Sequence, residues 1–65
     1  MSLRGIPDYL GCVRGRFVAL ELKIETGRPA KLQEFIIDKI NSAGGYARVV
    51  YPSTFAQVLE EIKCL

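Results

Sequence analysis

Histidine is absent from this 65-residue chain, and cysteine occurs only at Cys12 and Cys64. The two cysteines lack a metal-ligand spacing, so the sequence argues against a zinc site and against acid–base catalysis by histidine. A disulfide between them stays open as an alternative. A reduced, intracellular protein nevertheless fits this cysteine content better than a disulfide-stabilised one.

Long apolar runs are also missing. No segment approaches the ~20 apolar residues of a membrane span. Met1 is followed by turn-like residues and not by the apolar run of a signal peptide. We therefore expect a cytoplasmic protein with no membrane partner.

A strong charge of one sign is the third thing that the chain lacks, because its formal net charge is only +2. This value is too small to indicate nucleic-acid binding by itself. Cations do crowd the N-terminal half, where they would suit a phosphate backbone if they surround an acidic site. For any one of them, solvation alone is the simpler role. They are Arg4, Arg14, Arg16, Arg28 and Lys31.

The composition that is present, 49% apolar and 25% charged, is typical of a packed domain. A chain of this length forms one domain, residues 1–65, with no second core. So small a core often depends on a disulfide, a metal or oligomerisation for its stability.

Residues 7–23 read as two short strands, 8–13 and 16–24, that meet at a tight Arg14-Gly15 turn. If those two residues form the loop, Val13 faces Arg16 and the rest of the register follows.

The same register places Asp8 opposite Glu21. Lys23 shares the face of Glu21 because side chains alternate along a strand. At roughly 5 Å and an effective dielectric of about 20, two carboxylates repel by about 3 kcal/mol. A shared proton, Lys23 or a bound divalent cation such as Mg²⁺ or Mn²⁺ would each offset that repulsion. An exposed hairpin with ordinary surface charges is the plainer alternative.

A strand–helix–strand passage follows the hairpin. The helix is predicted over residues 30–42, Gly44-Gly45 ends it, and a strand follows over residues 46–51. A crossover of this kind makes the third strand parallel to the second. The predicted buried stripe of the helix consists of Leu32, Phe35, Ile36 and Ile40.

A last helix is predicted after Pro52, with Ser53 as its N-cap. The order of these elements therefore predicts an α/β (α+β) domain that consists of an antiparallel hairpin, a β-α-β crossover and a C-terminal helix. The predicted apolar stripe of the last helix consists of Phe55, Val58, Leu59 and Ile62.

Gln33 lies in the first turns of the middle helix. A solvated side chain is the ordinary state of such a glutamine. The functional alternative is that the helix, which starts soon after Lys23, directs Gln33 back across the carboxylate face.

Several of these segments together resemble a known family, the VRR-NUC branch of the PD-(D/E)xK nucleases. The likeness runs from about Gly5 to Ile62. It rests on Gly5-Ile6-Pro7-Asp8, Glu21-Leu22-Lys23, Gln33, and an Ala43-Gly44-Gly45 turn that leads into Val49-Val50.

The resemblance implies a restriction-endonuclease-like core and metal-dependent hydrolysis of DNA phosphodiester bonds. Asp8, Glu21 and the backbone carbonyl of Leu22 would hold one or two Mg²⁺ or Mn²⁺ ions. Lys23 would orient or help to deprotonate the attacking water, and Gln33 would hold substrate or water. Small stand-alone members of this branch look like endonucleases that act as homodimers on branched DNA such as four-way junctions. The resemblance therefore implies a protein of bacterial or phage-infected cells.

The chain departs from the family pattern at its start. Family members begin with a helix that carries another acidic residue, and with a further strand, whereas only residues 1–4 precede Gly5. We therefore expect a truncated nuclease domain, a site completed by a partner chain, or a depleted site.

Two other functions stay open. One is a nuclease-fold domain that binds DNA or mediates assembly without cutting. The other is a small α/β interaction module whose matches to the family are accidental, in which replacing Asp8 or Glu21 by its amide raises stability and no nucleic acid binds.

Overall fold

The hairpin turn sets the register of the sheet. In the computed structural model, which describes residues 6–65, antiparallel strands β1 (Tyr9–Val13) and β2 (Arg16–Leu22) meet at this turn. Its two residues have positive φ, 49° for Arg14 and 82° for Gly15, as two-residue turns that match the twist of the strands require. The predicted register is confirmed for the five pairs from Val13–Arg16 to Tyr9–Leu20, and the predicted pair of Asp8 with Glu21 is not part of the ladder.

Both hairpin strands are shorter than predicted at the end away from the turn. The ladder stops at the pair Tyr9–Leu20, because the carboxylate of Asp8 accepts the Leu22 N–H at 2.9 Å. Strand β2 ends at Leu22 because the chain turns directly afterwards, where the Gly27 N–H donates to the Ile24 carbonyl at 2.9 Å. The predicted ends at Asp8 and Ile24 are therefore wrong.

The crossover to the third strand follows the prediction. Helix α1 (Lys31–Ser42) leads into β3 (Tyr46–Val50), which lies parallel to β2, and the strand order is β1-β2-β3. Gly44, with φ of 96°, makes the turn between helix and strand. The Asn41 amide accepts the N–H of Ala47 and donates to its carbonyl, so it covers the outer edge of β3.

The last helix begins later than predicted. A single 3₁₀ turn, Pro52–Thr54, comes first, and α2 spans Phe55–Lys63. Ser53 does not cap α2, because its N–H and its hydroxyl both donate to the carboxylate of Glu25. The predicted N-cap is therefore wrong.

The two helices lie on opposite faces of the sheet. Alternation along β2 and β3 divides the buried residues between the two faces. Helix α1 covers the face of Ala19, Glu21 and Ala47, to which its side chains Gln33 and Asn41 are hydrogen-bonded. On the other face the core consists of Val18, Tyr46, Val50 and Val58.

Half of each predicted helical stripe is exposed. Ile36 and Ile40 are partly buried, as is Gln33, which lies on the same side of α1. A sheet of three strands is too narrow to cover a wider stripe, so the prediction is wrong for the outer members. These are Leu32, Phe35, Phe55 and Leu59, each 40–54% exposed.

Within residues 6–65, no helix has both the length and the apolar character needed to cross a membrane. Cys12 and Cys64 are exposed free thiols.

A tyrosine–carboxylate bond fastens α2 to β3. The Tyr46 hydroxyl donates to the carboxylate of Glu61, and the Arg48 guanidinium lies 4.2 Å from the Tyr46 ring centroid. Burial, and then this hydrogen bond, raise the pKa of Tyr46 from 10.0 to about 12. The same hydrogen bond lowers the pKa of Glu61 below its ordinary 4.5.

We therefore predict that Tyr46→Phe flattens the pH dependence of stability at both ends. Because the pKa of Tyr46 is raised in the folded state, the contribution of this residue to folding stability is complete below pH 10 and is lost as the pH rises towards 12. Because the folded Glu61 pKa is lowered, its contribution is present above pH 4.5 and is lost as the pH falls through the folded value. Urea unfolding across pH checks this, with Tyr9→Phe as the control on an exposed tyrosine. Parallel profiles for Tyr46→Phe and wild type would contradict it.

Candidate active site

Glu21 is the buried acid of this sheet. It lies on the central strand under α1, and only 4% of the residue is exposed. Its Oε2 is 3.4 Å from the Lys23 ammonium and accepts the Gln33 amide N–H at 3.0 Å. Its Oε1 is buried without a hydrogen-bond partner. One oxygen of the carboxylate is thus fully engaged, and the other is an unused acceptor shielded from water.

Gln33 links this carboxylate to the start of α1. Its Oε1 accepts the Ala30 N–H at 2.9 Å, while its Nε2 donates to Glu21. The first contact satisfies a backbone donor that a helix start leaves free. Because one amide makes both bonds, its orientation is fixed. Of the two alternatives for Gln33, a solvated side chain and one directed back to the carboxylate face, the structure shows the second, through the bond to Glu21.

Asp8 lies at the same end of β2. Its Oδ2 accepts the Leu22 N–H, so the carboxylate rests against the peptide that joins Glu21 to Leu22. The N–H and C=O of a strand residue point to the same side. The Leu22 carbonyl is therefore on the side of β2 where Asp8 lies. Asp8 itself is exposed, in contrast to Glu21.

The donor set suits a hard divalent cation. Carboxylate and carbonyl oxygens are the ligands that Mg²⁺ and Mn²⁺ prefer, and Mg²⁺ commonly keeps several waters. The unpartnered Oε1 of Glu21 is an acceptor that such an ion would satisfy. In the part of the chain that is described, no group of three or more His, Cys, Asp or Glu could hold a metal ion. The groups that could hold an ion here are therefore the carboxylates of Asp8 and Glu21 and the carbonyl of Leu22, and water would fill the remaining positions.

The predicted DNA-binding cations that fall within residues 6–65 do not lie together. Arg14 lies in the hairpin turn, and Arg16 comes directly after it. Because β2 rises about 3.3 Å per residue, Arg16 is roughly 17 Å from Glu21. Both guanidinium groups bind backbone carbonyls: Arg14 those of Lys63 and Leu65, and Arg16 that of Gly44.

The other three cations differ from this pair. Arg28 lies in the connection between β2 and α1, and Lys31 is the first residue of α1. Both are exposed, at the end of the sheet that carries Glu21. Arg4 lies outside the described residues.

A second feature next to Lys23 was not expected from the sequence. An open depression of about 220 Å³ lies at the carboxyl ends of β2 and β3. Sequence periodicity assigned Phe55 to the core, whereas this ring is half-exposed here. The only available signal was the cluster of aromatic and proline residues after β3. The depression is lined by Leu22, Lys23, Val50, Tyr51, Pro52 and Phe55.

Comparisons of the chain with protein-family models, with curated proteins and with solved structures gave no match. What the site can do is therefore inferred from its own residues.

We predict that Gln33→Ala destabilises the protein by about 1–2 kcal/mol, whereas Gln57→Ala has almost no effect. Removing Gln33 leaves the buried Glu21 carboxylate without its amide donor and the Ala30 N–H without its acceptor. Gln57 makes one exposed contact of 3.3 Å with Glu61. Urea unfolding followed by circular dichroism measures both. An equal loss of unfolding free energy in the two variants would show that the hydrogen bonds of Gln33 do not stabilise the fold more than the exposed contact of Gln57 does.

Proposed function

We propose that this chain is a metal-dependent DNA endonuclease of the VRR-NUC type, with a restriction-endonuclease-like core. The observation that carries the proposal is the Glu21 carboxylate. It is buried, paired with Lys23 through one oxygen and left unpartnered at the other, at the end of β2 where Asp8 also lies. A buried acceptor without a partner costs about 1–3 kcal/mol. A ligand that satisfies it accounts for its presence in so small a domain.

In this proposal Asp8, Glu21 and the Leu22 carbonyl hold Mg²⁺ or Mn²⁺. Such an ion would make hydroxide available near neutral pH and would offset negative charge at the phosphate. The neighbouring side chains provide orientation. Gln33 holds the Glu21 carboxylate in one position through its bond to the start of α1.

Lys23 is the proposed catalytic cation. Its ammonium is 3.4 Å from Glu21, and its side chain is 26% exposed, so it lies at the boundary between the buried carboxylate and solvent. A phosphate oxygen that approaches from solvent would meet this ammonium. Lys is a compact point charge that can hold an attacking water or offset negative charge that grows on the phosphate.

The proposed substrate is branched DNA such as a four-way junction, bound by a homodimer. Arg28 and Lys31 lie at the end of the sheet with Lys23 and suit the phosphates that flank the cut. The dimer is supported by the small core and by β1, an edge strand that pairs only with β2 among residues 6–65.

A second candidate is a nuclease-fold domain that binds DNA or mediates assembly without cutting. Two observations favour it. The described residues contain no third acid at the site, and Asp8 already uses one oxygen to hold the Leu22 N–H. Such a domain would bind branched DNA without any dependence on a divalent ion.

We predict cleavage of labelled four-way junctions and flaps in Mg²⁺ or Mn²⁺, none in EDTA, and a loss of about 100- to 1,000-fold in Lys23→Ala. The control is Lys63→Ala, an exposed lysine near the end of α2. Circular dichroism verifies that each variant is folded.

Cutting in EDTA, or equal cutting by Lys23→Ala, would contradict the nuclease proposal. Binding of branched DNA by clean wild-type protein without any cutting would favour the second candidate. No DNA binding at all, together with a more stable Glu21→Gln, would favour an interaction module.

We also predict that Mn²⁺ stabilises the wild type and not Glu21→Gln. Binding to the folded state alone raises the free energy of unfolding by about 1.4 kcal/mol at ten times the dissociation constant. For a domain of this size, each kcal/mol raises the melting temperature by about 4–8 °C. Glu34→Gln, which changes an exposed acid of α1, is the control and should keep the shift. A shift of equal size in Glu21→Gln would remove this carboxylate from the ion site.

A further inference from the structure

The open depression beside Lys23 is preformed. Its two walls come from the end of β2 and from the segment that leads into α2. Glu25 fastens the walls together, because its carboxylate accepts both the N–H and the hydroxyl of Ser53. Thr54 fixes the second wall through its hydroxyl, which accepts the Tyr51 N–H at 3.1 Å. No rearrangement is therefore needed before a ligand enters.

The chemistry of the walls suits a flat apolar ring. Tyr51 and Phe55 are aromatic, Leu22 and Phe55 are 54% and 50% exposed, and the one charge is Lys23. A volume of about 220 Å³ is smaller than the range of about 300–1,000 Å³ for drug-sized ligands, and corresponds to one ring system. The Lys23 ammonium and the Tyr51 hydroxyl are the polar side-chain groups among the lining residues, so the walls mainly contact the face of a ring.

The position of the depression relates it to the candidate active site. Lys23 belongs to both, while Glu21 and Gln33 lie on the α1 face and Leu22 and Val50 point to the α2 face. A ligand that spans both features must be charged at one part and aromatic at the adjacent part. A nucleotide has that pattern, with its phosphate next to an aromatic base.

Resting on the proposed nuclease function, we propose that this depression stacks one unpaired nucleobase next to the phosphate held at Lys23. Base–aromatic stacking is tolerant of sequence, because every base has a π-face. Extruding a base from a continuous duplex costs a few kcal/mol, and costs least where the base is already unpaired. The substrate class is therefore DNA with an unpaired base beside the cut, without preference for the identity of that base.

The test is fluorescence anisotropy of labelled oligonucleotides in Ca²⁺ and again in EDTA, with Phe55→Ala, Phe55→Leu and the control Leu59→Ala. Leu59 lies one turn along α2, is 40% exposed and does not line the depression. Phe55→Leu keeps an apolar side chain without an aromatic face. We expect both Phe55 variants to bind single-stranded and flap DNA more weakly than wild type, by about 5- to 100-fold for Phe55→Ala. Leu59→Ala should bind like wild type.

A scan with one abasic position at a time locates the base. At one position, removal of the base should weaken binding by the wild type but should not weaken binding by Phe55→Ala any further. The two losses of binding free energy are not additive when the base and Phe55 contact each other. The scan should give the same result for purine and pyrimidine at that position.

Three results would overturn the inference. The first is DNA binding that is unchanged in both Phe55 variants while metal-dependent cleavage persists, which leaves the nuclease proposal standing. The second is that, at every abasic position, the loss of DNA affinity caused by base removal adds to the loss caused by Phe55→Ala. The third is a wild-type dimer that Phe55→Ala converts to a monomer without any change in DNA affinity, which would assign the depression to a second copy. Absence of DNA binding in every protein, wild type included, would instead remove the proposed function itself.

Discussion

Burial of the Glu21 carboxylate is the constraint on which the rest of this structure depends. Taking an ion out of water costs several kcal/mol, and a domain of this size has about 3–5 kcal/mol of net stability. Lys23 and Gln33 offset that cost, and both act at the same oxygen. Replacing the acid by an apolar residue would be the simpler way to fill a space under α1. An ionisable side chain with one unpartnered oxygen is instead the arrangement expected where binding takes precedence over stability.

The same interaction couples the site to the folding of the crossover. Gln33 accepts the N–H of Ala30 and donates to Glu21, so the start of α1 and the position of the carboxylate are fixed by one amide. Glu25, four residues after Glu21, holds Ser53 at the entry to α2. The connection that leaves β2 is thus tied to both helices. A site whose supporting contacts are also structural contacts is rigid before any ligand binds.

Sequence periodicity predicted what depends on backbone geometry alone. A two-residue turn and strand alternation determined the hairpin register and placed Glu21 and Lys23 on one face, and the length of the crossover made β3 parallel. Element ends were missed where side chains compete for backbone groups, as Asp8 does for the Leu22 N–H. Helical spacing marked Phe35 and Phe55 as apolar, but it carries no information on how wide a sheet lies beneath. Charge counting selected Arg14 and Arg16 but could not show that backbone carbonyls already engage them.

Within residues 6–65, the buried Glu21 carboxylate, Lys23 and the open depression all lie at the carboxyl ends of β2 and β3. In open sheets with parallel strands, ligands bind outside those ends, where the connecting segments leave the sheet. Here one face of that end is charged and the other is apolar, because alternation sends Glu21 and Lys23 to one side and Leu22 to the other. A small anion would use only the first face, and an apolar side chain only the second. A nucleic-acid strand, with phosphate and base in succession, uses both, which is why a nucleotide ligand explains more of this geometry than either alternative.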